Sequence, residues 1–121
     1  AESVPNQSFS HVGRVVRTVD NASVTLDLTA VQDDLFGTFD MSGKQLVAML
    51  VKNTGSSSAT ISPGSTDPYD FSNGAVHTVR GGGAFLLYAP SGMPTVSSTA
   101  KNISVNASST KVYVIMVFGA E

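Results

Sequence analysis

Six consecutive apolar residues, Leu46 to Val51, lie between Lys44 and Lys52 in the stretch KQLVAMLVKN. Such a run is too short for a typical helix. Gly43 and the Asn53-Thr54-Gly55 turn punctuate its ends, which predicts a buried β-strand. Successive strand side chains point to opposite faces, so Leu46, Ala48 and Leu50 share one face and Val47, Met49 and Val51 the other. Both faces are apolar, whereas a strand with one wet face alternates apolar with polar. Two more stretches share this property, Ala84 to Tyr88 (AFLLY) and Lys111 to Phe118 (KVYVIMVF). Each requires cover on both sides.

Other segments alternate. Ala22 to Leu28 sets Val24, Leu26 and Leu28 against Ser23, Thr25 and Asp27, and Lys101 to Asn106 sets Ile103 and Val105 against Asn102, Ser104 and Asn106. Both predict strands with one solvated face. Asp20-Asn21 is a two-residue turn that would make a hairpin of His11–Val19 and Ala22–Leu28. Ser108 to Thr110 reads as a second turn. Thr29 to Asp34 reads as a helical turn or loop, and Leu35 to Met41 as a strand with a bulge at Gly37. Short strands follow at Ala59–Ser62 and Val76–Val79. The segment between them, Pro63 to Ala75, has two prolines and two glycines and reads as a long loop exposing Tyr69 and Phe71. Ala1 to Ser10 reads as an extended arm, ahead of a single domain over 11–121. About eight or nine short strands with regular turn signals predict an all-β chain, an antiparallel β-sandwich or jelly roll.

At 121 residues and 12.5 kDa the chain is one domain, large enough for a core without covalent staples. It has no cysteine, which excludes disulfides and thiolate metal sites. The net charge is -2 and only 13% of residues are charged, with no basic run, so nucleic acid is not an expected partner. No apolar run reaches the roughly 20 residues of a membrane helix. Ala1-Glu2 reads as the start of a cytoplasmic product that lost its initiator Met, with a trimmed signal peptide as the other reading.

In a two-sheet sandwich the outer faces of the doubly apolar strands would meet water. If Val47, Met49, Leu87 and Val114 were outer residues covered by a partner, their burial would contribute roughly 6–12 kcal/mol before association costs. That favours an oligomer or a partner-binding module. The arm, through Val4, Pro5 and Phe9, and the long loop, through Asp67, Tyr69, Asp70 and Phe71, are the candidate partner contacts. Exposed aromatics suit a protein interface. They also suit a sugar-stacking platform, so a carbohydrate-binding β-sandwich is the alternative.

Catalytic signals are weak. His11 and His77 belong to no metal-spaced cluster, there is no Gly-x-Ser-x-Gly elbow, and Gly81-Gly82-Gly83 lacks a phosphate-loop ending. Asp33-Asp34, Asp67 and Asp70 have the oxygens for Ca²⁺ but not the spacing. The reading is of a non-enzyme without metal or cofactor.

Several pieces together resemble small virion proteins of tailed bacteriophages. They are Leu46 to Thr54, Thr60-Ile61-Ser62-Pro63-Gly64, Asp67-Pro68, Gly82 to Leu87, Lys101 to Val105 and the apolar last strand ending at Gly119. The resemblance is to capsid decoration proteins and head-fibre bases. It implies a structural virion protein that oligomerises, with a trimer favoured, and binds the outer surface of the major capsid protein lattice. It further implies assembly in a bacterial cytoplasm. It assigns no site residue.

Overall fold

The computed structural model describes residues 14–34, 37–72, 74–89 and 93–120. Its strands are β1 (Arg14–Asp27), β2 (Val31–Asp33), β3 (Gly37–Phe39), β4 (Lys44–Asn53), β5 (Ala59–Pro63), β6 (His77–Val79), β7 (Ala84–Tyr88) and β8 (Asn102–Ala120). No helix occurs among the described residues. The chain is all-β, and its strands pair antiparallel throughout. β7 takes the bounds of its apolar run, and β4 extends beyond its run of Leu46 to Val51 to take in Lys44 and Asn53, the latter expected in the turn.

One sheet carries most of the fold, in the order β6-β5-β8-β4-β7, with β1 on the other edge of β8. β2 and β3 form a separate ribbon. β8 is the strand through which the rest connects. Its first half pairs with β5 from Ile103 to Asn106, and its second half with β4 from Val112 to Ala120. β1 runs along the whole of the opposite edge. The two layers expected of a sandwich therefore arise from one sheet folding over: β1, β8, β4 and β7 on one side, β1, β8, β5 and β6 on the other. His77 of β6 stacks on Phe85 of β7 across the interior, 4.6 Å between ring centroids.

The two expected turns, Asp20-Asn21 and Ser108–Thr110, do not end their strands. They are matching irregularities inside two long ones. The register passes from Asp20↔Lys111 to Ala22↔Ala107, so Asn21 alone faces Ser108, Ser109 and Thr110. Asn21 has a positive φ of 52°, which asparagine tolerates better than most residues. Such bulges bend a strand and raise its twist. Here the bend lies where β8 exchanges β5 for β4 as its neighbour. Thr29 to Asp34 is likewise a turn leading into β2, where the side chains of Asp33 and Asp34 bond β1.

The core fills the space between the layers. Ile103, Val105, Val112, Val114, Met116 and Phe118 of β8 are all buried, with Val15, Val19 and Leu26 of β1, Leu46, Met49 and Val51 of β4, and Ile61 of β5. Met49 and Val114, expected on an outer face, are fully buried, and Leu87 is partly buried against the core. A strand apolar on both faces gives no local sign of which face points in. The bulge at Val47 settles it for β4, because it shifts the pairing from Leu46↔Phe118 to Ala48↔Val117.

One buried polar side chain ties the fold at its bend. The Asn53 amide nitrogen donates to the carbonyls of Ser57 (2.7 Å) and Val79 (2.9 Å). Its oxygen accepts from the Gly55 N–H (3.1 Å) and the Thr110 hydroxyl (2.7 Å). Asn53 and Thr110 are both buried. The end of β4, the turn into β5, the end of β6 and the bulge of β8 thus share one satisfied network. Gly55 is required beside it, since a Cβ there would lie 2.0 Å from the Thr110 hydroxyl. An unpartnered buried polar group costs about 1–3 kcal/mol. Asn53→Ala strands several at once and is expected to lower stability by at least about 3 kcal/mol in urea unfolding. A loss below about 1 kcal/mol would show that water replaces the network.

Candidate functional site

The outer face of the β7-β4-β8-β1 layer is apolar and is left uncovered by any strand among the described residues. Cross-strand register sets Val16, Ile115, Leu50 and Leu86 in one row and Arg14, Val117, Ala48 and Tyr88 in the next. Leu86 is 69% exposed, Tyr88 70% and Val117 36%. Val16, Leu50, Ala48 and Ile115 are half-buried, and no strand among the described residues is layered over them. Contiguous apolar surface of this kind marks an interaction site more often than scattered apolar residues do. This face exists because β4, β7 and β8 are apolar on both sides. The inner side chains fill the core, and the outer ones are left over.

Charge surrounds the patch. Tyr113, Lys52, Ala84 and Thr18 make the next row, and beyond it Lys111 faces Asp20. The Lys111 ammonium sits 5.4 Å from the Tyr113 ring centroid. Three cations, Arg14, Lys52 and Lys111, lie around a face that also carries Asp20 and is bordered along β1 by the Asp33 and Asp34 carboxylates.

The loop residues expected to meet a partner divide into two kinds. Asp70 is exposed and Asp67 half-exposed. Tyr69 and Phe71, expected on the surface, are buried. The cause is a set of long-range bonds. Asn102 accepts at its carbonyl from the Tyr69 and Gly64 N–H groups, and the Asp67 carbonyl accepts from the Lys101 and Asn102 N–H groups. The loop is sewn onto the start of β8. Asp67 meets this with a positive φ of 43°. The Tyr69 hydroxyl donates to the Pro94 carbonyl (2.7 Å) and accepts from the Leu46 N–H (3.0 Å). Phe71 lies beside His77, with ring centroids 6.3 Å apart. Val4, Pro5 and Phe9 lie outside the described residues, as does His11.

Polar chemistry is already engaged elsewhere. The Asp33 carboxylate accepts from the Val16 N–H at 2.8 Å, and that of Asp34 from the Thr18 N–H at 3.0 Å and from the Thr18 hydroxyl. These carboxylates stand in for a neighbouring strand along β1. A polar cleft of about 210 Å³ is lined by Arg17, Thr25, Leu26, Asp27, Ala30, Val31 and Gln32. Arg17 is bonded there to Gln32 and Asp27 to Thr29 and Lys101. Partial burial disfavours the Asp27 carboxylate, but the Thr29 hydroxyl and N–H and the Lys101 charge together hold its pKa below the ordinary value. Among the described residues no three His, Asp or Glu side chains converge on a point where a metal would sit.

The chain matches no protein-family model and no curated protein. Among solved structures it is similar to a de novo designed double-stranded β-helix, at 11% identity and a TM-score of 0.39, covering 88% of this chain and 99% of that one.

Burial pushes the Tyr69 phenol above its ordinary pKa, against the opposing effect of the Leu46 N–H bond. The neutral phenol is the form the fold holds. The stability it contributes is complete below about pH 10, the ordinary tyrosine value, and declines as the pH rises through the raised one. Urea unfolding between about pH 8 and 11 is expected to show this decline. Tyr69→Phe should be less stable than the parent at pH 8, by about 1–3 kcal/mol for the two groups left unpaired, and should lack Tyr69's share of the alkaline decline. Equal stability of the two proteins at pH 8 would show that the hydroxyl bonds contribute nothing.

Proposed function

We propose that this chain is a non-enzymatic structural virion protein that oligomerises and binds the outer surface of a capsid lattice, using the β7-β4-β8-β1 face. The observation that carries the reading is the exposed apolar row across four strands, with Leu86, Tyr88 and Val117 facing water. The resemblance of the sequence to phage decoration proteins supplies the lattice as partner. Binding the assembled lattice and not its separated subunits would stabilise the shell by mass action. The protein would then reside in the virion after assembly in the host cytoplasm.

The carbohydrate alternative rested on Tyr69 and Phe71 as a stacking platform. Both rings are buried, so that platform is missing, and the packing face is the stronger basis for function.

The test is co-sedimentation with assembled shells of the virus encoding the chain, against unassembled capsid protein. The parent is expected to pellet with shells alone. Val117→Glu, which places a carboxylate in the middle of the face, is expected to bind at least about tenfold more weakly, a difference of roughly 1.4 kcal/mol. Absence of shell binding, or undiminished binding by Val117→Glu, would contradict the proposal.

A further inference from the structure

The two margins of the apolar layer are treated differently. Along β1, Asp33 and Asp34 occupy the edge with their carboxylates, and the Asp34 N–H donates to the Val16 carbonyl at 2.8 Å. Along β7 no strand among the described residues occupies the side away from β4. β7 also lacks the usual protections of an edge strand. AFLLY has no charge, no proline and no register irregularity against β4.

The bonding pattern fixes which groups face outward. The Asn53 N–H donates to the Gly83 carbonyl and the Ala89 N–H to the Val47 carbonyl. In an antiparallel pair, bonded positions alternate with unbonded ones. Phe85 and Leu87 therefore turn their backbone groups toward β4, and Ala84, Leu86 and Tyr88 turn theirs to the open side. The same three residues point their side chains to the outer face, where all are exposed.

We infer that β7 pairs antiparallel with β7 of a second copy, about a two-fold axis at Leu86. Leu86 then faces Leu86 of the other copy, and Ala84 faces Tyr88. All three positions carry outward N–H and C=O groups, so the register bonds every one of them. A small residue lies opposite a large one on each side of the axis. The joined rows read Leu50-Leu86-Leu86-Leu50 at the centre and Lys52-Ala84-Tyr88-Ala48 beside it. No charge meets its own kind across the joint. Edge pairing leaves the outer face free and joins two copies of it into one continuous surface. The inference rests on the self-association in the proposed function and not on the lattice. It closes as a dimer, in contrast to the trimer that the phage resemblance implies.

The experiment uses the chain alone, so that loss of shell binding and loss of edge pairing read out separately. Two five-residue edges bury little surface, and dissociation constants on the order of 10 µM are expected. Sedimentation velocity of the parent should pass from monomer to dimer across that range. Leu86→Glu, exposed in the monomer and facing its own charge in the dimer, should remain folded and monomeric. In this cysteine-free chain Leu86→Cys should form a disulfide dimer under mild oxidation, because facing bonded positions lie about 5.5 Å apart at Cα. Ser108→Cys, exposed on the far bulge, should not. A parent that stays monomeric to about 1 mM would overturn the inference, as would a dimer that Leu86→Glu leaves intact. Equal cross-linking at positions 86 and 108 would overturn it too.

Discussion

The fold depends on how the β1–β8 ribbon bends. Two long strands run side by side, and the ribbon changes direction where Asn21 faces Ser108, Ser109 and Thr110. Without that bend β4 and β5 would extend one flat sheet along the same edge of β8, and no interior would form. Asn53 holds the corner by bonding Thr110 on one side and the Val79 carbonyl on another. A buried amide with all its bonds made is worth more as a locator than as a source of stability, because any other arrangement of the corner leaves it unpaired. The core then follows from alternation along β8.

The same constraint explains the outer surface. A strand at the centre of a two-layer fold needs only one apolar face. β4, β7 and β8 have two, and the second is not consumed by any layer of the described chain. Its apolar rows span β1 to β7, with charges of both signs at the rim. Interaction surfaces combine these features, an apolar middle and a polar margin. The margins differ: acidic side chains cap β1, while no strand among the described residues pairs with the outer side of β7.

Much of this was legible in the residues. The run AFLLY announced its strand to the residue and the run Leu46 to Val51 the middle of β4, since apolar patterning and flanking turns agreed. The surplus of apolar faces was visible as well. What could not be read was the direction in which those faces point. Period-2 patterns assign inside and outside only when one side is polar, so Met49 and Val114 were indistinguishable from Leu50 and Ile115. Turn chemistry misled for a related reason. Asn21 and Ser108–Thr110 are residues that turns and bulges share, and only the pairing partner decides between them. Tyr69 and Phe71 sat in a Pro-, Gly- and Asp-rich stretch that looks solvated locally. The bonds that hold Tyr69 inside come from Asn102, Leu46 and Pro94, far along the chain, and Phe71 packs beside His77.

Backbone amide exchange, followed residue by residue in dilute and concentrated solution, tests the central claim most directly. The claim is that the chain leaves the outer side of β7 open for another molecule of its own kind. The account predicts that the Leu86 and Tyr88 amides exchange quickly when dilute and slowly when concentrated, while the Leu87 amide, bonded to β4, stays protected in both. Protection of Leu86 and Tyr88 in the dilute monomer would contradict it, because the chain itself would then cover that edge. Fast exchange of both at every concentration would contradict it equally.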